Sequence, residues 1–103
     1  MCEYIIIAKD GPATVRYCFH CKTYSLAYEN ILLNMSENGM EDFKNCLLQC
    51  YDYHLCHQDQ ERFYERDIRL NTKVDGLQMM FSLAELSQLI AILQEAQFAC
   101  MGR

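Results

Sequence analysis

Apolar and polar positions alternate through the first third of the chain and then change period. Tyr4 to Ala8, with Ile5, Ile6 and Ile7, is an unbroken apolar run and reads as a buried strand. Asp10-Gly11-Pro12 supplies turn chemistry. Val15, Tyr17 and Phe19 then alternate with Arg16 and Cys18, as on a half-buried strand. Tyr24, Leu26 and Tyr28 alternate with Ser25 and Ala27. Beyond them the pattern allows two readings. Either Glu29-Asn30 turns the chain into a further strand, Ile31 to Met35, or one long strand runs from Thr23 to Met35.

From Ser36 the period becomes helical. Ser36 has the chemistry of an N-cap, and Met35 with Met40 stands at hydrophobic-staple spacing. Met40, Phe43, Leu47 and Cys50 continue the apolar stripe to about Leu55, with Phe43, Leu47 and His54 near its centre. The polar stretch Gln58 to Arg62 reads as a connection. Tyr64, Arg66, Ile68 and Leu70 predict a strand, Lys73 to Gly76 a turn, and Leu77 to Phe81 the return strand. Ser82 and Glu85 form a capping box, with Phe81 and Leu86 as its staple. Leu86, Leu89, Ile90, Leu93 and Ala96 make the stripe of a final helix. The order is strands, helix, hairpin, helix. It predicts a single α+β domain over residues 1–103, an antiparallel sheet of about four to six strands with two helices on one face.

Composition narrows the function more than the fold. The chain has 103 residues, is 51% hydrophobic and carries a formal charge of −5. Lys and Arg are scattered, and the tightest group, Arg62, Arg66 and Arg69, is interleaved with acids. Binding to a nucleic-acid backbone is therefore disfavoured. No apolar run approaches membrane-spanning length, and no leader pattern precedes Cys2. The seven cysteines are odd in number, which favours mostly free thiols in a reducing cytoplasm over a disulfide framework.

The candidate chemistry centres on Cys18-Phe19-His20-Cys21. Two thiols at this spacing can grip a metal, act as a redox pair or fill space. A zinc site would need partners from Cys46, Cys50, His54, Cys56 and His57. On a helix that reaches far enough, Cys46, Cys50 and His57 share one flank, so Cys18, Cys21, Cys50 and His57 form the candidate ligand set. The bland alternative is that these thiols pack as small hydrophobes, with His54 a packed histidine. A thioredoxin-like site fits less well, because the pair lies between strands rather than at a helix start. No phosphate loop, paired-carboxylate motif or nucleophile elbow is present, so no catalytic residue is nominated. Seven tyrosines and six methionines offer adhesive surface, Tyr51, Tyr53 and Tyr64 among them. The resulting expectation is a non-enzymatic protein-interaction module, a homo-oligomer, with no small-molecule substrate identified.

One composite pattern goes further. Cys18-x-x-Cys21-x-x-Tyr24-x-Leu26-x-Tyr28-x-Asn30-x-Leu32-Leu33, then a helix, then Arg66-x-Ile68-x-Leu70-x-Thr72, then Phe81-Ser82-Leu83-Ala84-Glu85-Leu86, resembles a family of short, uncharacterised bacterial proteins. The resemblance spans Tyr17 to Ala96 and implies a single-domain cytoplasmic protein, with no activity or cofactor. Tyr28 stands where that pattern has phenylalanine, and Glu29 where it has glycine.

Overall fold

A computed structural model describes residues 3–56, 68–72 and 74–101. Four strands, β1 (Ile5–Asp10), β2 (Ala13–Cys18), β3 (Thr23–Tyr28) and β4 (Ile31–Ser36), form an antiparallel meander in chain order. Helix α1 (Glu37–Leu55) follows β4 directly. A two-stranded sheet of β5 (Ile68–Asn71) and β6 (Gln78–Phe81) precedes helix α2 (Leu83–Met101). The α+β plan and its element order are those the sequence predicts. The six strands divide into sheets of four and two.

The meander follows from its turns. Gly11 adopts φ 56° in the two-residue β1–β2 connection, a conformation that glycine takes without steric cost. Glu29 and Asn30 do form a turn, so Thr23 to Met35 is two strands, with Tyr28 opposite Ile31. Glu29 sits at φ 54°, the left-handed region in which a side chain is strained. It is the position where the resemblance described above leads one to expect glycine.

Register decides which side is core. Val15 pairs with Leu26, and Leu26 with Leu33. Tyr17 pairs with Tyr24, and Tyr24 with Met35. These rows share one face, as strand alternation requires. Val15, Tyr17, Tyr24, Leu26 and Tyr28 are buried there. The two helices lie together over this face, α2 on β1 and β2, and α1 on β4 and β3. Leu86, Leu89, Ile90, Ile92, Leu93 and Ala96 give α2 a broad buried stripe, which meets Met40 and Leu47 of α1 in a common core. Each of the larger aliphatic side chains contributes about 2 kcal/mol of burial free energy before entropy is charged against it.

Both capping expectations hold. The Ser36 hydroxyl accepts a hydrogen bond from the Gly39 N–H at 3.0 Å. Ser82 and Glu85 bond reciprocally: the Glu85 N–H donates to Ser82 Oγ at 3.1 Å and the Ser82 N–H donates to Glu85 Oε1 at 2.9 Å.

The first strand departs from its expected burial. β1 is the outermost strand of the meander, and its register shifts between Ile6 and Ala8. Ile5 is 40% and Ile6 59% exposed. An apolar run shows that a segment suits a sheet, but strand order decides how many of its sides are covered. The β5 expectation began at Tyr64. Residues 64–67 lie outside the described ones, as do Lys73 of the hairpin turn and Arg62.

Candidate functional site

The two leading cysteines occupy the β2–β3 turn and part company there. Cys18 ends β2, and the Lys22 N–H reaches back to its carbonyl at 2.7 Å, closing a single helical-type turn over residues 18–22. Lys22 exits at φ 56°. The Cys21 N–H donates to Cys18 Sγ at 3.3 Å. That amide-to-sulfur contact suits a knuckle, but the two thiols differ in setting. Cys18 is 0% exposed, whereas Cys21 is exposed and disulfide-bonded. Cys18, Cys46, Cys50, Cys56 and Cys100 are free thiols. These five fit the expectation of mostly free thiols, and Cys21 is the exception among the described cysteines. A cysteine on a turn lies outside the strand's pleat, so its neighbour's burial does not carry over to it.

The helix flank brings two further thiols together. Cys46 and Cys50 are one turn apart on α1. Burial raises the Cys50 thiol pKa first, and the neighbouring Cys46 sulfur adds to the rise. A raised pKa leaves less thiolate at neutral pH, the opposite of what a redox nucleophile needs. Among the described residues no three His, Cys, Asp or Glu side chains converge as a metal site would require. Of the candidate set, Cys18, Cys21 and Cys50 are described, and His57 lies outside the described residues. His54 is half-buried, and its ring meets that of Tyr53 edge-on at 5.1 Å.

Two other places carry exposed apolar chemistry. The first is the side of β1 that has no ladder partner among the described residues. Tyr4 to Ala8 is uncharged, and Ile5 pairs with Tyr17 across the ladder. Phe19, itself exposed, packs edge-on against that same Tyr17 ring at 4.7 Å. Tyr4 is tied down by a hydroxyl contact to Thr23 Oγ1 at 2.9 Å.

The second is a cleft of about 480 Å³ between β4, α1 and the β5–β6 hairpin. Leu33, Asn34, Met35 and Ser36 line one wall, Leu70, Asn71 and Thr72 the other, with Met79 beside them. Gly39, Phe43 and Cys46 line it from α1. Those three are spaced by four and three residues, which is one stripe of a helix. Sequence reasoning reached Cys46 and Phe43 but gave them to the metal flank and the core. It missed the cleft because the β5–β6 hairpin that closes it is distant in the chain from β4 and α1. The one local signal was Met79-Met80: Met79 turns to the cleft and Met80 is exposed.

Of the tyrosines expected to form an adhesive patch, Tyr53 is exposed and Tyr51 half-buried, and Tyr64 lies outside the described residues. Among the described residues no helix is long and apolar enough to cross a membrane. Neither a curated protein nor a solved structure matches the chain. A family model does, over residues 1–101. This chain belongs to DUF6686, a family of unknown function.

Proposed function

We propose that this chain is a non-enzymatic interaction module that associates with a second copy of itself through the side of β1 that has no ladder partner among the described residues. The observation that carries the reading is the exposure of Ile5 and Ile6 on an outermost strand. An outer strand presents backbone N–H and C=O groups to any chain that can lie alongside it. Native sheets commonly guard such an edge with charge, proline or irregularity. Here the guard is partial. Lys9 and the register shift between Ile6 and Ala8 protect the second half of β1, and the first half carries no charge. Two acidic copies, each at −5, can approach most readily where neither presents charge. Antiparallel pairing of the Tyr4 to Ile7 segments about a two-fold axis satisfies that condition and places Ile5 and Phe19 of each copy at the joint.

Sedimentation velocity over a concentration series tests this. The expected result is a dimer, converted to monomer by Ile6→Lys with the circular dichroism spectrum and melting temperature retained. A wild-type protein that stays strictly monomeric across the series overturns the reading.

A further inference from the structure

Six of the seven cysteines lie among the described residues, and one of the six is not a thiol. Cys18, Cys46, Cys50, Cys56 and Cys100 are free, whereas Cys21 is disulfide-bonded. Within the chain, that leaves Cys2 as the one cysteine Cys21 can have taken. Covalent reach agrees. The Tyr4 hydroxyl meets Thr23 Oγ1 at 2.9 Å, so the approach to β1 lies beside the start of β3. Cys2 stands two residues before Tyr4, and Cys21 two before Thr23. Two residues span at most about 7 Å, which keeps both cysteines close to that contact. A free thiol adjoins the same place. The Cys21 N–H donates to Cys18 Sγ at 3.3 Å, and the Lys22 N–H closes the turn on the Cys18 carbonyl at 2.7 Å. Residues three apart in a helical-type turn are neighbours. Cys18 is wholly buried, so its sulfur is shielded from solutes while it touches the residue that carries the disulfide.

We propose that Cys2, Cys18 and Cys21 form a thiol–disulfide exchange site in which the buried Cys18 displaces Cys2 from Cys21. Rotation of the Cys21 side chain about its Cα–Cβ bond is the motion that turns its sulfur toward Cys18. The Cys18 thiol gives up its proton and its sulfur attacks Cys21 Sγ. A Cys18–Cys21 bond forms and the Cys21–Cys2 bond breaks. The electron pair of the broken bond leaves on the Cys2 sulfur, which takes up a proton. One disulfide and one thiol stand on each side of the reaction, so it consumes no oxidant or reductant. What changes is the place of the cross-link. A Cys2–Cys21 bond encloses β1 and β2, whereas a Cys18–Cys21 bond encloses only the turn. The larger loop constrains the unfolded chain more. The exchange therefore releases the residues before β1 from the β2–β3 turn without changing the oxidation state of the chain. The inference makes no use of self-association through β1, and a strictly monomeric protein leaves it untouched.

The test uses the full chain purified in air without reductant. It is incubated under native conditions with N-ethylmaleimide and sampled over time for non-reducing peptide mapping by mass spectrometry. The reagent caps the exposed Cys46 and Cys56 early, so these thiols of other molecules do not carry the exchange. Expected at the start is a Cys2–Cys21 cross-link. With time Cys2 should become labelled as a Cys18–Cys21 cross-link replaces the first. Cys18→Ser should slow the labelling of Cys2 at least about tenfold, because the attacking sulfur is gone. Cys21 found as a thiol or bonded to any cysteine other than Cys2 would overturn the proposal. So would a Cys2–Cys21 bond that outlasts the incubation in the wild type, or labelling of Cys2 at an unchanged rate in Cys18→Ser. The wild-type map shows both cross-links directly, and it decides the matter even if a serine at the buried position 18 is poorly tolerated.

Discussion

Replacing Glu85 by alanine should be among the most costly changes to any charged residue outside the core. Two contacts of its carboxylate are to described residues. Oε1 accepts from the Ser82 N–H at 2.9 Å, the reciprocal half of the α2 capping box. Oε2 accepts from the Tyr28 hydroxyl at 3.2 Å, across a separation of 57 residues. Loss of the first contact should cost about 1 kcal/mol, as for other caps. The second involves a residue only 4% exposed and a charged acceptor. Such bonds contribute about 1.5–3 kcal/mol, and the lower end applies because Gln88 Oε1 stands 3.4 Å from the same hydroxyl as a substitute acceptor. Glu85→Ala should therefore destabilise by about 2–3 kcal/mol. Tyr28→Phe, which keeps the ring against Phe81, should cost about 1 kcal/mol. Urea unfolding of the wild type, both single variants and the double variant, followed by far-UV circular dichroism, gives the coupling directly. It should be about 1 kcal/mol. A coupling below about 0.3 kcal/mol, within the usual additivity error, would show that the Tyr28–Glu85 bond contributes nothing and refute the reasoning.

Three further outcomes are expected. Glu29→Gly should raise stability by about 0.5–1 kcal/mol, because relief of the φ 54° strain outweighs the added freedom of the unfolded chain; a lower melting temperature would contradict this. Leu47→Ala should cost about 3 kcal/mol, since the side chain is wholly buried, whereas Phe98→Ser, at a residue 78% exposed, should stay within about 0.5 kcal/mol of wild type in the same urea assay. Stability should fall as pH rises from about 10 to about 12. Burial, and then the 2.8 Å bond to Glu37, push the Tyr17 pKa up to about 12, and burial also raises that of Tyr24. In that window the unfolded chain has lost tyrosine protons that the folded chain keeps, so the stabilisation is complete below about 10 and disappears toward about 12. Urea midpoints against pH should show this slope, and Tyr17→Phe should flatten it.

Local chemistry made much of the fold legible. Ser36, Ser82 and Glu85 announce their caps because a cap is decided within four residues, and the structure forms each bond as read. Gly11 announces its turn for the same reason. Glu29-Asn30 left two readings open, because a glutamate does not advertise a left-handed conformation. What depends on neighbours distant in sequence was not legible. Ile5 to Ile7 reads as interior, yet β1 is outermost, and nothing within the run encodes strand order. The Cys18 and Cys21 spacing implies a common direction, yet one thiol is interior and the other exposed. The cleft combines Leu33, Phe43 and Leu70 from three elements, so no window along the chain could reveal it.

The last helix bears on how the chain is made. The meander can zip up from neighbouring hairpins as soon as residues 5–36 are available, since its pairings are all between adjacent strands. Its apolar side, however, is roofed over β1 and β2 by α2, whose Gln88 reaches the Asp10 carbonyl across 78 residues. On the ribosome the sheet therefore waits with Val15 and Tyr17 uncovered until α2 has emerged. That interval is when a chaperone would find it and when unwanted association is most costly.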